Sequence, residues 1–196
     1  MADQLASPSD LAALVQHDVD TASAMLAIEI CTAVVQAAAD GQRIVQVVGD
    51  TATVVGTPEQ FLRLPQWPVT AVSAVTLDGV ALTAGAAGSG AATYRLVGDR
   101  LYRGSGWQTY CWEPSAVAFT YTHGYATGDQ RLQLGRGAVL SLGRGLFENP
   151  SGVVREQIDD YAVAYAEAQA ALDASPALKA AIRKTYGPRA RMVRIQ

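Results

Sequence analysis

The sequence predicts an α+β protein. A helical core, made of a long N-terminal helix, a central helix and a short C-terminal helix, carries an inserted antiparallel β sub-domain. Two observations predict it. The stretch Val69-Thr70-Ala71-Val72-Ser73-Ala74-Val75-Thr76-Leu77 alternates apolar and small polar residues, the period of a half-buried strand, and stops at Asp78-Gly79, a pair suited to the positive φ angles of a tight hairpin. The period then changes from strand to helix on both sides, at Gly41 and again near Gly128. The expected organisation is core helices in 1–42, a β sub-domain in 43–125, further helices and a strand of the core in 126–187, and a tail in 188–196.

Ser7-Pro8-Ser9-Asp10 opens a first helix. Ser7 or Ser9 can cap its free N–H groups, and Asp10 suits the positive end of the helix dipole. Gln16-His17-Asp18-Val19-Asp20 breaks that helix and caps a longer one from Asp20 to Ala39, with Met25, Ile28, Val35 and Ala39 near helical spacing. Asp40-Gly41 ends it, with Gly41 expected to take the left-handed C′ position. Strands are expected at 43–48 and 53–55 around a turn at Gly49-Asp50, in a hairpin of 94–97 with 100–103 about Gly98-Asp99, and last at 116–122. Thr83 to Ala92 reads as a loop of small residues.

A central helix is expected from about Asp129 to Phe147, buried along Leu132, Val139, Leu142 and Leu146. Gly135, Gly137, Gly143 and Gly145 each cost it roughly 1 kcal/mol relative to Ala, so close approach of a neighbouring helix or subunit is expected to offset them. Asn149-Pro150-Ser151-Gly152 stops it. Tyr161, Val163 and Tyr165 alternate like a strand near 160–165, followed by an Ala-rich connector. Ser175-Pro176 opens the last helix, and Gly187-Pro188 closes it.

Composition bounds the function. The chain has 196 residues, 49% of them hydrophobic, enough for a sizeable core. A net charge of −3 argues against a general nucleic-acid binder. Cys31 and Cys111 form no C-x-x-C and read as free thiols. The N-terminal residues show no basic-then-apolar signal pattern, and the apolar stretch 25–39 is broken by Glu29, Thr32 and Gln36 and reads as too short for a bilayer. A soluble chain made in the cytoplasm, with no membrane partner, is the expectation.

Little points to chemistry. His17 and His123 have no second ligand at metal spacing, and no nucleophile elbow, P-loop or zinc-protease helix occurs. Glu156, Asp159 and Asp160 form the only local carboxylate cluster, more simply a solvated turn than a site. Trp107, Tyr110, Trp112, Tyr121 and Tyr125 are the best case for a ligand, since exposed aromatics stack on sugars or bases; the plainer reading has them stapling a small β domain. The tail interleaves Arg189, Arg191 and Arg194 with Met192, Val193 and Ile195, a pattern suited to docking on a partner rather than to a core of its own. No catalytic residue, metal or cofactor is expected.

Taken in order, Leu64 to Gly79 (Leu-Pro-x-x-Pro-Val…Asp-Gly), Arg95 to Trp107, Tyr121-Thr122-His123-Gly124-Tyr125, Asn149 to Gly152 and Tyr161 to Tyr165 form a series. That series resembles the head-to-tail connector (adaptor, or head-completion) proteins of long-tailed bacteriophages, especially those of actinobacterial hosts. The resemblance spans nearly the whole chain. Ala126-Thr127-Gly128 stands where the family usually has a proline, and Asp159-Asp160-Tyr161 where it commonly has Val-Gly-Asp-Tyr.

The resemblance implies a structural virion protein of the neck, assembled in host cytoplasm as a ring of about twelve copies beneath the portal protein. The ring extends a channel through which DNA passes without sequence-specific binding, and it meets the next neck protein on the tail side. Residues 189 and 191–195 are then expected to dock on the portal. The helix glycines, with Tyr161, Val163 and Tyr165, are expected at contacts between subunits. A stopper or tail terminator of the same neck is the nearest alternative. From other classes, a carbohydrate- or peptide-binding β module remains open, and a hydrolase is disfavoured for want of a nucleophile–base pair.

Overall fold

A computed structural model describes residues 4–15, 19–85, 92–110, 112–148 and 159–187. The fold is α+β as expected. The chain divides into two compact units, one of residues 1–45 with 125–196 and one of residues 46–124.

The first unit is helical: α1 (Pro8–Val15), α2 (Thr21–Ala38), α3 (Leu132–Glu148), α4 (Asp159–Asp173) and α5 (Pro176–Tyr186). Its ends are set by local chemistry. Ser7 Oγ accepts the N–H of Asp10 (3.2 Å) while Asp10 Oδ2 accepts the N–H of Ser7 (3.0 Å), a reciprocal cap with Pro8 at the first helical position. Asp20 caps α2 through the N–H and hydroxyl of Ser23. At the other end of α2, Asp40 rather than Gly41 takes the C′ position (φ 58°), and Gly41 follows it at φ 75°. The N–H of Gly41 reaches back to the Gln36 carbonyl and that of Asp40 to the Ala37 carbonyl, the paired bonds of a Schellman end. Aspartate tolerates the left-handed region better than most side chains, and here its carboxylate also meets Arg183 Nε at 3.3 Å.

The core of this unit gathers Leu11, Ile28, Ile30, Cys31, Val34 and Val35 with Val139, Leu142, Leu172 and Ile182. α2 is long and apolar enough to pass as a membrane span on length and hydropathy alone, so the sequence-based objection from length does not hold. Eight of its residues are buried in the core, which explains its composition without a bilayer.

The expected strand near 160–165 is instead the first half of α4. Alternation over three side chains is outweighed by the helix-forming run Ala162 to Leu172, whose Ala168 and Leu172 fall four apart on the buried side. The breaks expected at 16–18 and 149–152 lie outside the described residues.

The second unit is one seven-stranded sheet in the order β1 (Val47–Val55), β7 (Ala116–His123), β3 (Val69–Leu77), β4 (Val80–Ala84), β5 (Thr93–Val97), β6 (Arg100–Tyr102), β2 (Phe61–Arg63). All neighbours are antiparallel except β4 and β5, which run parallel at Thr83 and Ala84. The hairpins form at Asp78-Gly79, with φ 50° and 81°, and at Gly98-Asp99. The turn expected at Gly49-Asp50 is a β-bulge inside β1: Val47 pairs with His123, Asp50 with Tyr121, and Gly49 takes φ 72°. The extra residue re-aims the strand, and Asp50 Oδ2 lies 2.9 Å from His123 Nε2. Thr83 and Ala84, expected in a loop, belong to β4, and residues 86–91 lie outside the described residues.

Alternation divides the faces of the sheet. Val117, Phe119 and Tyr121 of β7 join Val75, Leu77, Leu62, Leu101 and Trp107 in a second core. Trp107 is wholly buried, with Nε1 donating to the Gln60 carbonyl at 3.0 Å. Its own carbonyl comes so near Gly56 that a Cβ there would sit 1.8 Å from the oxygen, so only glycine fits.

Candidate functional site

Exposed surfaces stand out among the described residues, rather than a cleft lined by catalytic groups. Among the described residues no three histidine, cysteine, aspartate or glutamate side chains gather where they could hold a metal ion. Cys31 is a buried free thiol that burial pushes up to about 12. His123 is buried against Asp50, whereas His17, Cys111 and Glu156 lie outside the described residues.

The aromatic residues do not form one platform. Trp107, Tyr121 and Tyr125 are buried, and Tyr125 packs edge-on to Tyr186 at 5.9 Å with the Arg131 guanidinium 4.6 Å above its ring. Only Tyr110 and Trp112 stand out, 51% and 78% exposed and stacked at 5.4 Å. Their loop is tied down on both sides. Asp78 accepts from the Thr109 hydroxyl (2.5 Å) and the Ala116 N–H (2.7 Å), and Ser115 Oγ accepts the Thr109 N–H (2.8 Å). These bonds, that of the Thr109 hydroxyl first, hold the Asp78 carboxyl below the ordinary 3.8. The buried Trp107 and exposed Trp112 are therefore not side by side on one exposed face, as a two-tryptophan glycan platform would require. The groove over β1, β3 and β7, of about 250 Å³, is lined by threonine and alanine with Phe119, and lacks charged groups.

The glycines of α3 split into two pairs. A Cβ on Gly135 would meet the Leu5 methyls at 3.3 Å and the Tyr186 hydroxyl at 3.4 Å, and one on Gly143 would meet Leu11 at 3.3 Å. Close packing within the subunit therefore accounts for these two. Gly137 and Gly145 have nothing within 4 Å and, with Ser141 between them, lie along the exposed side of α3. Val163 is exposed and Tyr165 half-buried on α4. The side chain of Tyr161, and all of the tail with Arg189, Arg191, Met192, Val193, Arg194 and Ile195, lie outside the described residues.

One surface escaped the sequence reading. On β2, β6 and β5 the inward residues are Leu62, Leu101, Tyr94 and Leu96, so Phe61, Arg63, Arg100, Tyr102, Arg95 and Val97 point outward. Arg63 and Arg100 are direct cross-strand partners, and the Arg95 guanidinium sits 4.6 Å above the ring of Tyr102, which touches Phe61 at 5.1 Å. The signal was present as Phe-Leu-Arg, Tyr-Arg-Leu and Arg-Leu-Tyr, each apolar inside and basic or aromatic outside. Only the strand order brings the three together.

No family model matches this chain, and no curated protein does. Among solved structures, the fold is similar to a chain from the neck of an empty GTA particle, computed with C6 symmetry. The TM-score is 0.50 at 14% identity, covering 96% of this chain and 92% of that one. A chain from the neck of a native GTA particle, computed with C12 symmetry, overlaps 83% of this chain and 90% of its own length, at 17% identity and a TM-score of 0.44. At such identity the first likeness is one of fold, and it takes in the helical unit and the sheet alike.

Proposed function

We propose that this chain is a structural, non-enzymatic protein of the neck of a tailed phage or GTA-like particle, and within the neck the head-to-tail adaptor. It forms a closed ring beneath the portal protein, extends the DNA channel and presents a surface to the next neck protein. The observation that carries the reading is the fold likeness to a neck chain over 96% of this one. The six-fold symmetry used for that neck is compatible with a ring of twelve. Head-to-tail contacts between identical subunits close into a ring when the rotation between them closes, and grow into a filament otherwise.

Within this reading the tail docks on the portal. Met192, Val193 and Ile195 fill apolar contacts while Arg189, Arg191 and Arg194 pair with carboxylates. Gly137 and Gly145, with nothing against them among the described residues, and Val163 serve contacts between subunits.

Electron cryo-microscopy of intact particles with the chain traced in density tests the role. The expected result is a ring of about twelve copies, the count implied by the adaptor resemblance, directly against the portal. A ring separated from the portal by another protein makes it a stopper or tail terminator, and a chain found outside the neck overturns the reading.

A further inference from the structure

The outward face of β2, β5 and β6 is costly by itself. Arg63 and Arg100 are paired across the strands, a position where Cβ atoms stand about 5 Å apart and like charges repel. Among the described residues neither has a carboxylate partner, and β2, β5 and β6 contain no aspartate or glutamate at all. Arg95 is held over Tyr102 with its Nε buried and without a hydrogen-bond partner. Exposed apolar groups flank the charges: Phe61 is 42% and Val97 41% exposed. A chain of net charge −3 thus concentrates three guanidinium groups on one small, partly apolar face.

The face calls for an anionic partner with some apolar surface. Nucleic acid fits it poorly. Base stacking needs a free aromatic face; the Tyr102 ring is already occupied by Arg95 and Phe61, which leaves only the partly exposed Phe61 ring. Carboxylates fit well, since the guanidinium fork takes them in paired hydrogen bonds. The chain itself holds the complement. α4 contains Asp159, Asp160, Glu167 and Asp173 and no lysine or arginine, and of these Asp173 is already paired with Lys179 at 2.5 Å. Glu167 follows Val163 by four residues and so shares its side of the helix; Val163 is 43% exposed and Glu167 exposed.

We infer that the Arg63–Arg95–Arg100 face of one subunit receives the Val163–Glu167 side of α4, a helix without basic residues, from a second copy of this chain. The inference rests on the ring reading and names the contact that builds the ring. It is heterologous: each subunit offers the arginine face to one neighbour and α4 to the other, as a closed ring requires.

Two full-length variants test it by sedimentation velocity at low salt, R63E/R100E to reverse the sheet face and V163R/E167R to reverse the helix face. Wild-type protein is expected to associate progressively with concentration, and less so in high salt. Each variant alone should be monomeric, with at least tenfold weaker association. Mixed in equal amounts, they present one intact pair of faces and one charge-swapped pair, so association beyond the monomer should return. Circular dichroism and the thermal midpoint show whether each remains folded. The milder R63Q/R100Q replaces a variant that does not, and should weaken association in the same sense. Wild-type protein that stays monomeric at every concentration, variants that associate like wild type, or a mixture that stays monomeric overturns the contact. Binding of a single-stranded oligonucleotide at 150 mM salt that R63Q/R100Q abolishes also overturns it, assigning the face to nucleic acid. None of these results bears on the neck location, which imaging of particles decides separately.

Discussion

The hydroxyl of Tyr186 stands inside the first turn of α3: it accepts the N–H of Gly135 at 3.0 Å and donates to the carbonyl of Arg131. Residues 131 and 135 are four apart, the spacing at which helical backbone groups bond directly, so the last residue of α5 is inserted into the ladder of another helix. Gly135 leaves room for it. Replacing Tyr186 with Phe empties this bridge while keeping the ring. We expect a loss of about 1–3 kcal/mol, the cost of leaving buried polar groups unpaired, measured by urea denaturation of the full chain. An unchanged midpoint would show that the 131–135 bond re-forms without cost.

The glycines of α3 should respond in pairs. Gly137→Ala and Gly145→Ala place a methyl in open space and should each stabilise the subunit by about 0.5–1 kcal/mol. Gly135→Ala and Gly143→Ala should gain less or lose, because the methyl meets Leu5, Tyr186 or Leu11 at 3.3–3.4 Å. Denaturation midpoints give the four values. If the first pair stabilises subunits but lowers ring yield, that side of α3 is covered in the assembly; unchanged yield leaves it facing solvent.

The loop bearing Tyr110 and Trp112 should loosen in acid. The Asp78 carboxyl titrates below 3.8 in the folded loop, so its tie to Thr109 and Ala116 is present at neutral pH. It is lost as pH falls below that value. The protection factor of the Ala116 amide should fall in that range, and Asp78→Asn should show a lower one already at pH 7. Equal protection in the variant would mean that Ser115 alone holds the loop.

Cys31 gives a signature at the alkaline end. Burial favours the neutral thiol in the fold, so the unfolded chain releases the proton first. Stability from this group is whole below the ordinary 9.0 and declines as pH rises toward about 12. Cys31→Ala should flatten part of that decline in a pH series of denaturation midpoints. Iodoacetamide at pH 8 should modify Cys31 only after unfolding.

Removing residues 188–196 should leave the fold intact and yield DNA-filled heads that leak or fail to join tails. Ordering such a segment costs roughly 1–2 kcal/mol per residue in backbone entropy, which the proposed portal contacts would offset. Normal particle yield from the truncated protein would end the portal-docking proposal.

Features fixed by a few adjacent residues were legible in the sequence. The helix start at Ser7 to Asp10, the Asp78-Gly79 and Gly98-Asp99 turns and the switch of period around the sheet all follow from local chemistry. What depends on distant partners was not. Gly49-Asp50 looks like a turn, but pairing with β7 makes it a bulge. Tyr161 to Tyr165 reads as a strand until α2, α3 and α5 supply the core that α4 packs into. The arginine face was invisible because its residues come from strands 32 or more positions apart, Arg63 from Arg95 and Arg100.

The helical unit also closes on itself where the sheet departs. Val45 and Tyr125 form a parallel bridge, and the Tyr125 N–H meets the Ile44 carbonyl at 2.9 Å. Chain leaving and chain returning are thus clasped side by side, so everything between them hangs from a single doorway. Such an arrangement lets evolution lengthen, trim or exchange the intervening segment at little cost to its host, since the closure entropy of a loop grows only slowly with length. The helical unit should therefore be the slowly changing frame among related chains, and the sheet the part through which each lineage fits its own neighbours.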